Sequence, residues 1–319
     1  MKKLTVALMM LFLLTCFAFA GGKKDVSSNG KLIVGFAQIG QESGWRGAET
    51  NSIMFYAEQN PDTIQLHFAD AQQKQENQIK AMRSFIQIGV DVIGLAPVVE
   101  TGWETVLKEA KDAGIPVIFV DRMAKVSDDL YAAFIGSDFV DEGMKAAKEM
   151  ARLLSDKGNV VMLEGTVGAS AAIDRQKGFL DEMAKHPDIK IIARQSGDFT
   201  RAKGKEVMES FLKSYSKIDG VYADNDDMVL GAIEAIKEAG KKPGTEIKTV
   251  SIDGVKGIFE AMVAGEANVT VECNPLLGPQ FFDAAKKLKA GEKLPKWIKS
   301  EEGIFRQETA AKDIGSRQY

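Results

Sequence analysis

Short apolar runs alternate with amphipathic stretches, and this alternation constrains the fold more than any other feature of the chain. Four runs in the first part have the length of buried strands: residues 32–36, 64–68, 91–95 and 117–120. Between the second and third runs, Ile79, Met82 and Phe85 recur at helical spacing, and Gly89 ends the pattern. Strands that alternate with helices predict a parallel sheet covered on both faces.

The same alternation starts again after Asp138. The strand-like runs of this second part are residues 160–163, 189–193, 220–223, 248–252 and 269–271. The helical patterns are residues 141–154, 172–185, 203–214, 228–239, 258–264 and, after the last strand, 280–288. The halves share no strong sequence repeat, so the repetition is architectural. A chain of 319 residues is long enough for two lobes with separate cores. We therefore predict an α/β protein with two open sheets in series.

The N-terminus has the organisation of a secretory signal peptide. Lys2 and Lys3 precede an apolar run over residues 4–20, which ends in the small-x-small pattern of residues 18–20 before Gly21. This run is short for a membrane-spanning helix. We predict a signal peptide over residues 1–20, a flexible segment over residues 21–30, and export to the periplasm.

A lipid anchor at Cys16 is the alternative to simple secretion. Residues 13–15, Leu-Leu-Thr, precede Cys16 and resemble a bacterial lipoprotein box, although Thr15 fits that box poorly. If Cys16 is removed with the signal peptide, the mature chain keeps only Cys273. No internal disulfide could then form, so the fold would rest on core burial.

Composition and motifs argue against several classes of function. The formal net charge of −4 argues against a nucleic-acid partner. Two histidines leave little material for His-based catalysis or metal binding. The phosphate-binding, dinucleotide-binding and nucleophile-elbow motifs are missing from the sequence. The acidic run at residues 224–227 lacks the glycine and distal glutamate of a calcium loop. We expect no enzyme, no catalytic residue, no cofactor and no metal site.

Polar residues collect where strands end, which is where open α/β sheets bind ligands. In the first part these candidates are Gln38, Glu42, Ser43, Trp45, Arg46, Asp70, Asp121 and Arg122. In the second part they are Thr166, Arg175, Asn225 and Asp253. Carboxylates accept two hydrogen bonds, guanidinium groups donate in a fixed fork, and an aromatic face covers the C–H side of a sugar ring. These residue types suit a sugar better than a phosphate or a nucleobase.

Each candidate taken alone has a structural interpretation. Asp70 and Asp226 could cap helices or turns. Arg175 could pair with a surface acid, and Trp45 could belong to the core. The carboxylates and arginines at successive strand ends favour a ligand site when they are considered together.

Five segments resemble the bacterial periplasmic sugar-binding proteins of the ribose/galactose type. They are residues 34–40 (Val-Gly-Phe-Ala-Gln-Ile-Gly), 42–46 (Glu-Ser-Gly-Trp-Arg), 119–122 (Phe-Val-Asp-Arg), 225–228 (Asn-Asp-Asp-Met) and 251–254 (Ser-Ile-Asp-Gly). The resemblance covers essentially the whole mature chain. It implies two Rossmann-like lobes joined by a three-strand hinge, with the ligand bound between them.

The resemblance also implies lobe boundaries and roles for individual residues. The N-terminal lobe would comprise residues 31–136 and 275–297, and the C-terminal lobe residues 137–274 and 298–319. The chain would cross between the lobes near Ser137, Asn274 and Ile298. Where the family often has Gln or Asn near the second crossing, this chain has Cys273, so Glu272 or Asn274 would serve instead.

By motif position, the resemblance assigns parts of the sugar to parts of the site. Asp121 and Arg122 would hold ring and anomeric hydroxyls. Trp45 and Arg46 occupy the place of the family's stacking aromatics. The second lobe's share would come from Arg175, Asn225 and Asp253.

The function implied is that of an extracytoplasmic solute-binding protein of an ABC sugar importer. The ligand would be a monosaccharide, galactofuranose or a similar furanose or aldose, and the partners would be the membrane permease and its ATPase subunits. We expect a monomer. The alternatives are a sugar receptor for chemotaxis or a sensor kinase, and a binder of a different small polyol. Sugar-responsive repressors share this core, but a signal peptide stands here in place of their DNA-binding segment.

Overall fold

Two six-stranded sheets organise the fold, one in each lobe. The computed structural model describes residues 30–319, so the predicted signal peptide (1–20), Cys16 and nearly all of segment 21–30 lie outside the described residues. The strands in chain order are β1 (Leu32–Gln38), β2 (Ile64–Asp70), β3 (Val92–Leu95), β4 (Val117–Val120), β5 (Ala133–Gly136), β6 (Gly158–Glu164), β7 (Ile189–Ser196), β8 (Gly220–Ala223), β9 (Lys248–Asp253), β10 (Val269–Glu272), β11 (Trp297–Lys299) and β12 (Ile304–Arg306).

Helices connect the strands of both sheets. In chain order they are α1 (Gly44–Glu58), α2 (Gln75–Ile88), α3 (Glu104–Asp112), α4 (Phe139–Leu154), α5 (Ser170–Met183), α6 (Arg201–Ser214), α7 (Asp226–Glu238), α8 (Lys256–Val263), α9 (Gly278–Lys289) and α10 (Ala310–Asp313). Within residues 30–319, no helix is both long and apolar enough to cross a bilayer.

The two sheets have the same strand order, which confirms the predicted architectural repeat. The first sheet is ordered β11-β5-β4-β3-β1-β2 and the second β12-β10-β9-β8-β6-β7. All neighbours are parallel except β12, which runs antiparallel to β10. In each sheet the first strand of the lobe lies between the next two, so the strand order reverses there. The carboxyl ends beside such a reversal form a crevice, which is where open α/β sheets bind ligands.

Close helix packing in the second lobe fixes the position of one predicted ligand residue. A Cβ on Gly143 of α4 would collide with the carbonyl oxygen of Arg175 in α5. A Cβ on Gly178 of α5 would likewise collide with the carbonyl oxygen of Val140. Because both positions lack a side chain, α4 and α5 pack backbone to backbone. Arg175 is thereby held against Glu142, its neighbour on α4.

The chain passes between the sheets at three connections, which we call the hinge crossings. The first lies between β5 and α4 and contains Ser137, and the second lies between β10 and α9 and contains Cys273 and Asn274. The predicted third crossing near Ile298 needs correction. Ile298 pairs with Ile135 in the first sheet, and the chain passes to the second sheet between β11 and β12, over residues 300–303.

Candidate ligand-binding site between the lobes

A polar cavity lies between the two lobes at the carboxyl ends of the strands. The first lobe lines it with Glu42, Ser43, Trp45, Arg46, Asp121 and Arg122. The second lobe lines it with Ala171, Arg175, Phe199, Asn225 and Asp253. The lobes are closed on each other, and the cavity measures about 20 Å³. That volume holds about one water molecule, so a larger ligand enters only when the lobes separate.

Arg46 is the centre of the first lobe's share of the cavity. Its Nε donates to Glu42 Oε1 at 3.0 Å, and its Nη2 lies 2.5 Å from Asp121 Oδ2. Its Nη1 donates to Glu49, which lies one turn further along α1. Burial opposes the charge of Arg46, but Glu49, Asp121 and Glu42 outweigh it and raise the arginine pKa well above its usual value. Arg46 is therefore a fixed cation at neutral pH.

The start of α1 explains why charged residues point inward there. The Ser43 side chain accepts from the backbone N–H of Arg46 and caps the helix. The helix then buries Arg46 and Glu49 on one face, and Gln38 Nε2 donates to Glu49 Oε2 at 3.0 Å. Burial raises the pKa of Glu49 to about 7, although Arg46 opposes the shift. This carboxyl titrates near neutral pH.

Arg122 places a second guanidinium beside the first. Its Nη2 donates to Glu42 Oε1 and its Nη1 to the Val98 carbonyl oxygen, both at 3.2 Å. Its guanidinium lies over the Phe199 ring, 5.1 Å from the centroid, and so contacts the second lobe. Burial and the neighbouring Arg46 lower the pKa of Arg122. The Nε of Arg122 is buried and has no hydrogen-bond partner within residues 30–319, so it can donate to a ligand.

Arg175 organises the second lobe's share. Its Nε donates to Glu142 Oε2 at 2.7 Å, and its Nη1 donates to the Asp224 carbonyl oxygen at 2.6 Å. Its Nη2 lies 3.5 Å from Asp253 Oδ1, a looser contact that leaves this N–H group available to a hydroxyl. Burial acts against the cation, but Glu142 outweighs it and the arginine pKa stands well above its usual value.

Two aspartates of the cavity have unusual backbone conformations. Asp121 has φ 62° and Asp253 has φ 132°, a region that residues with a side chain rarely adopt. Such strain persists where surrounding structure imposes it, and it collects at binding sites. Burial raises the pKa of Asp253 well above its usual value, with Arg175 opposing. A protonated Asp253 offers a donor as well as an acceptor, which suits a hydroxyl ligand.

Contacts across the cleft hold the lobes together. Gly44 N donates to Asp227 Oδ2 at 2.7 Å, and Trp45 Nε1 donates to the Cys273 carbonyl oxygen at 2.6 Å. Met123 N donates to Ser170 Oγ at 3.0 Å. The Trp45 ring also packs among core residues of the second lobe, although α1 belongs to the first. Trp45 therefore serves both the cavity and the junction of the lobes.

Four predicted ligand residues do not line the cavity. Gln38 is buried beneath it and holds Glu49 and Thr50. Asp70 is exposed and accepts from the backbone N–H of Gln72 in a turn at the end of β2. Asn274 accepts from Leu276 N beside the hinge. Thr166 is absent from the cavity wall, and its carbonyl oxygen accepts from Ala169 N in the turn before α5.

Sequence reasoning missed other residues of the site. Ala171 and Phe199 line the cavity, and Glu49 and Glu142 hold its arginines. Phe199 follows β7, so the strand-end argument could have included it. The two glutamates lie on helices and give no such signal. Asn225 does line the cavity, but its side chain caps α7 through Met228 N and also donates to the Phe199 carbonyl oxygen at 3.1 Å.

The fold and the cavity define a two-lobed α/β protein that encloses a small polar ligand at a hinge. A family model described as "Periplasmic binding protein domain" matches residues 34–293, and the chain belongs to this family. The predicted fold and family are thereby confirmed.

Several relatives of this chain are named for a sugar ligand or were solved with one bound. The galactofuranose-binding protein YtfQ of Escherichia coli (strain K12) is 50% identical over 95% of this chain and 96% of its own length. A solved periplasmic component of an arabinose ABC transporter from Shewanella sp. ANA-3, bound to α- and β-L-arabinofuranose, is 51% identical with a TM-score of 0.87, over 90% of this chain and 95% of that one. A Mycobacterium smegmatis structure in complex with β-D-fucofuranose is 52% identical with a TM-score of 0.88 over the same shares.

Proposed function

We propose that this chain is the solute-binding component of an ABC sugar importer, and that it binds a monosaccharide in the furanose form between its lobes. One observation carries the proposal: three buried guanidinium groups, those of Arg46, Arg122 and Arg175, converge on one cavity together with buried carboxyl groups. Relatives half identical to this chain are named for galactofuranose or were solved with furanoses. Galactofuranose is the ligand we favour.

The chemistry of the cavity supports a neutral polyol. Each arginine already has acidic partners, so a ligand need not bring charge. Available donors include the Arg122 Nε, which has no hydrogen-bond partner within residues 30–319, and the loosely held Arg175 Nη2; the acceptors include the Asp121 and Asp253 carboxyl groups. Charge-assisted hydrogen bonds contribute about 1.5–3 kcal/mol each, so a few of them supply the roughly 8 kcal/mol of micromolar binding.

Isothermal titration with galactose, L-arabinose, D-fucose and ribose tests the sugar class. Galactose labelled with ¹³C at the anomeric carbon tests the ring form, because the bound resonance differs between furanose and pyranose. We expect heat with at least one sugar and a furanose signal for bound galactose. Absence of heat with all four sugars would refute sugar binding, whereas a pyranose signal would refute only the ring form.

The proposed role extends to export and delivery. The chain would be secreted to the periplasm, remain a monomer, perform no chemistry on its sugar, and pass it to a membrane permease powered by ATPase subunits. Deleting the gene and measuring uptake of the titrated sugar tests delivery. Unchanged uptake combined with lost taxis would favour a receptor role instead. Incubating protein with sugar, followed by mass spectrometry, should return the sugar unaltered.

A further inference from the structure

One side chain from or beside each hinge crossing meets at a single point. Glu142 lies in the first turns of α4, directly after the first crossing, Cys273 lies in the second crossing, and Glu302 lies in the third. One carboxylate oxygen from each glutamate and the Cys273 Sγ all lie within 4.8 Å of one another. We call this group the hinge cluster. It lies outside the set of residues that line the cavity.

Glu302 connects the third crossing to the other two. Its Oε1 accepts from the backbone N–H of Asn274 at 3.0 Å and from the hydroxyl of Ser137. Ser137 Oγ in turn lies 3.4 Å from Cys273 Sγ. A single carboxyl group therefore bridges all three crossings through side-chain and backbone contacts.

Glu142 lacks a donor for one of its oxygens. Its Oε2 accepts from Arg175 Nε at 2.7 Å. Its Oε1 is buried and finds no donor among the ordinary N–H and O–H groups of residues 30–319. A buried acceptor without a donor is costly, so a donor within the hinge cluster would remove that cost.

We propose that Glu142 and Glu302 share one proton, so that a carboxylic acid paired with a carboxylate ties the hinge crossings together and holds Glu142 against Arg175. The proton resides mainly on Glu302 and is donated to Glu142 Oε1. Glu142 keeps its negative charge for Arg175. The pair is thus a positioning device for an arginine of the ligand cavity.

Electrostatics supports the shared proton. Two adjacent carboxyl groups, one buried and one partly buried, cannot both ionise cheaply. Burial and the nearby Glu142 raise the pKa of Glu302 to about 9. Burial also raises the pKa of Glu142, with Arg175 opposing. The other titratable or charged groups around the pair, element by element, are Asp138, Asp141 and Lys145 (α4 and its cap), Arg175 (α5), Tyr222 (β8), Asp253 (β9), Glu272 (β10), Cys273, Lys299 (β11), and Arg317 and Tyr319 at the C-terminus.

A metal ion is a poorer occupant of the hinge cluster than a proton. Burial raises the pKa of the Cys273 thiol well above its usual value, and a metal requires the thiolate. The Arg175 guanidinium already neutralises Glu142 and repels a second cation. The shared proton satisfies Glu142 Oε1 and neutralises Glu302, which leaves the charges of Glu142 and Arg175 balanced.

The shared proton makes stability depend on pH in a definite direction. Glu302 in the unfolded chain has the ordinary pKa of 4.5, and in the folded chain it has a pKa of about 9. The folded protein therefore holds about one more proton than the unfolded protein between these values. The stabilisation is complete below pH 4.5 and is lost as the pH rises through about 9.

Thermal unfolding of Glu302→Gln against pH tests the proposal without any sugar. The amide can donate to Glu142 and accept from Asn274 N, so we expect a melting temperature close to wild type near pH 4.5 and increasingly above wild type as the pH rises to about 9. Between pH 4.5 and about 9 the variant should release about one proton fewer on unfolding than wild type does, and the slope of stability against pH measures this difference. The matched control is Glu301→Gln, because Glu301 is exposed and adjacent. Its slope should equal that of wild type. Equal slopes in all three proteins would overturn the proposal.

Infrared spectroscopy of the wild type supplies a second measurement. The carboxylic-acid C=O band in the difference spectrum between wild type and Glu302→Gln should be present near neutral pH and fade with a midpoint near 9. Its absence near neutral pH would overturn the proposal even if the variant folds poorly. A rise in melting temperature with Zn²⁺ that Cys273→Ser abolishes would also overturn it, because the hinge cluster would then be a metal site.

The effect of the pair on Arg175 rests on the proposed function. If sugar binds, its affinity for wild type should weaken several-fold above pH 9, and its affinity for Glu302→Gln should change less. Unchanged wild-type affinity across that range would overturn the positioning role. Absence of sugar binding at any pH would refute the proposed function while leaving the unfolding and infrared results intact.

Discussion

Replacing Arg175 by Met tests how the second lobe holds its buried charges. The substitution preserves most of the side-chain volume and removes the guanidinium. Arg175 is 3% exposed and contacts Glu142, the Asp224 carbonyl oxygen and Asp253 at 2.7, 2.6 and 3.5 Å. Its loss leaves two buried carboxyl groups without their cation.

The expected cost follows from those contacts. Removing one partner of a buried ion pair destabilises a protein by about 3–5 kcal/mol. Glu142 and Asp253 can reduce this cost by binding protons, since their pKa values are raised by burial even with the arginine present. Protons are more available at low pH, so the loss of unfolding free energy should be smaller at about pH 5 than at about pH 8.

Urea unfolding at both pH values measures the effect, and Arg83→Met is the matched control. Arg83 forms a two-point contact with Glu109 at the surface, where its side chain is 53% exposed. Its loss should cost at most about 1 kcal/mol. Titration should show sugar affinity at least tenfold weaker in Arg175→Met, which corresponds to about 1.4 kcal/mol. A loss of stability equal to the control, or one independent of pH, would contradict the reasoning.

Three further substitutions address other parts of the site. Between pH 4.5 and about 7 the Glu49 carboxyl ionises in the unfolded chain while it stays largely protonated in the folded chain, so wild-type stability falls as the pH rises. Glu49→Gln should flatten this decline, which measurements of the unfolding free energy across that pH range would show. Asp226→Ala removes the acceptor of four hydrogen bonds, so the free energy of unfolding measured in urea should fall by at least about 2 kcal/mol, while the sugar affinity of the folded protein stays nearly unchanged. Trp45→Phe removes the bond to the Cys273 carbonyl oxygen and should weaken sugar binding about fivefold by calorimetry, corresponding to about 1 kcal/mol; an unchanged affinity would mean that this bond persists in the open form.

The fold could be predicted from the sequence wherever apolar residues are periodic. All nine predicted strands lie within or overlap observed ones. Helix α1 was missed because it buries Arg46, Glu49 and Thr50 and therefore has no apolar stripe. Strand β5 was missed because no α-helix separates it from β4, so it does not fit the strand–helix alternation.

The site could be predicted only in part, because strand ends indicate position and not pairing. The rule located Asp121 and Asp253, whose strands lie inside their sheets. It misplaced Asp70 and Thr166 because the sequence does not reveal which strand ends turn toward the cleft. Phe199, after the outer strand β7, lines the cavity, whereas Thr166, after the inner strand β6, does not. The role of Glu142 could not be predicted, because it depends on the close packing of α4 on α5 at Gly143 and Gly178. Partners of buried charges depend on such helix contacts.

The burial of the Trp45 indole has a consequence for how a membrane permease would recognise the closed form. Its ring belongs to one lobe and is buried in the core of the other, so separation of the lobes would expose it to water. Each 1.4 kcal/mol by which this burial favours the closed form raises the empty closed population tenfold relative to the open form. A permease that recognises closure would then engage unloaded receptors. In the proposed importer, the size of this one side chain would set a compromise between retention of sugar and wasted ATP hydrolysis.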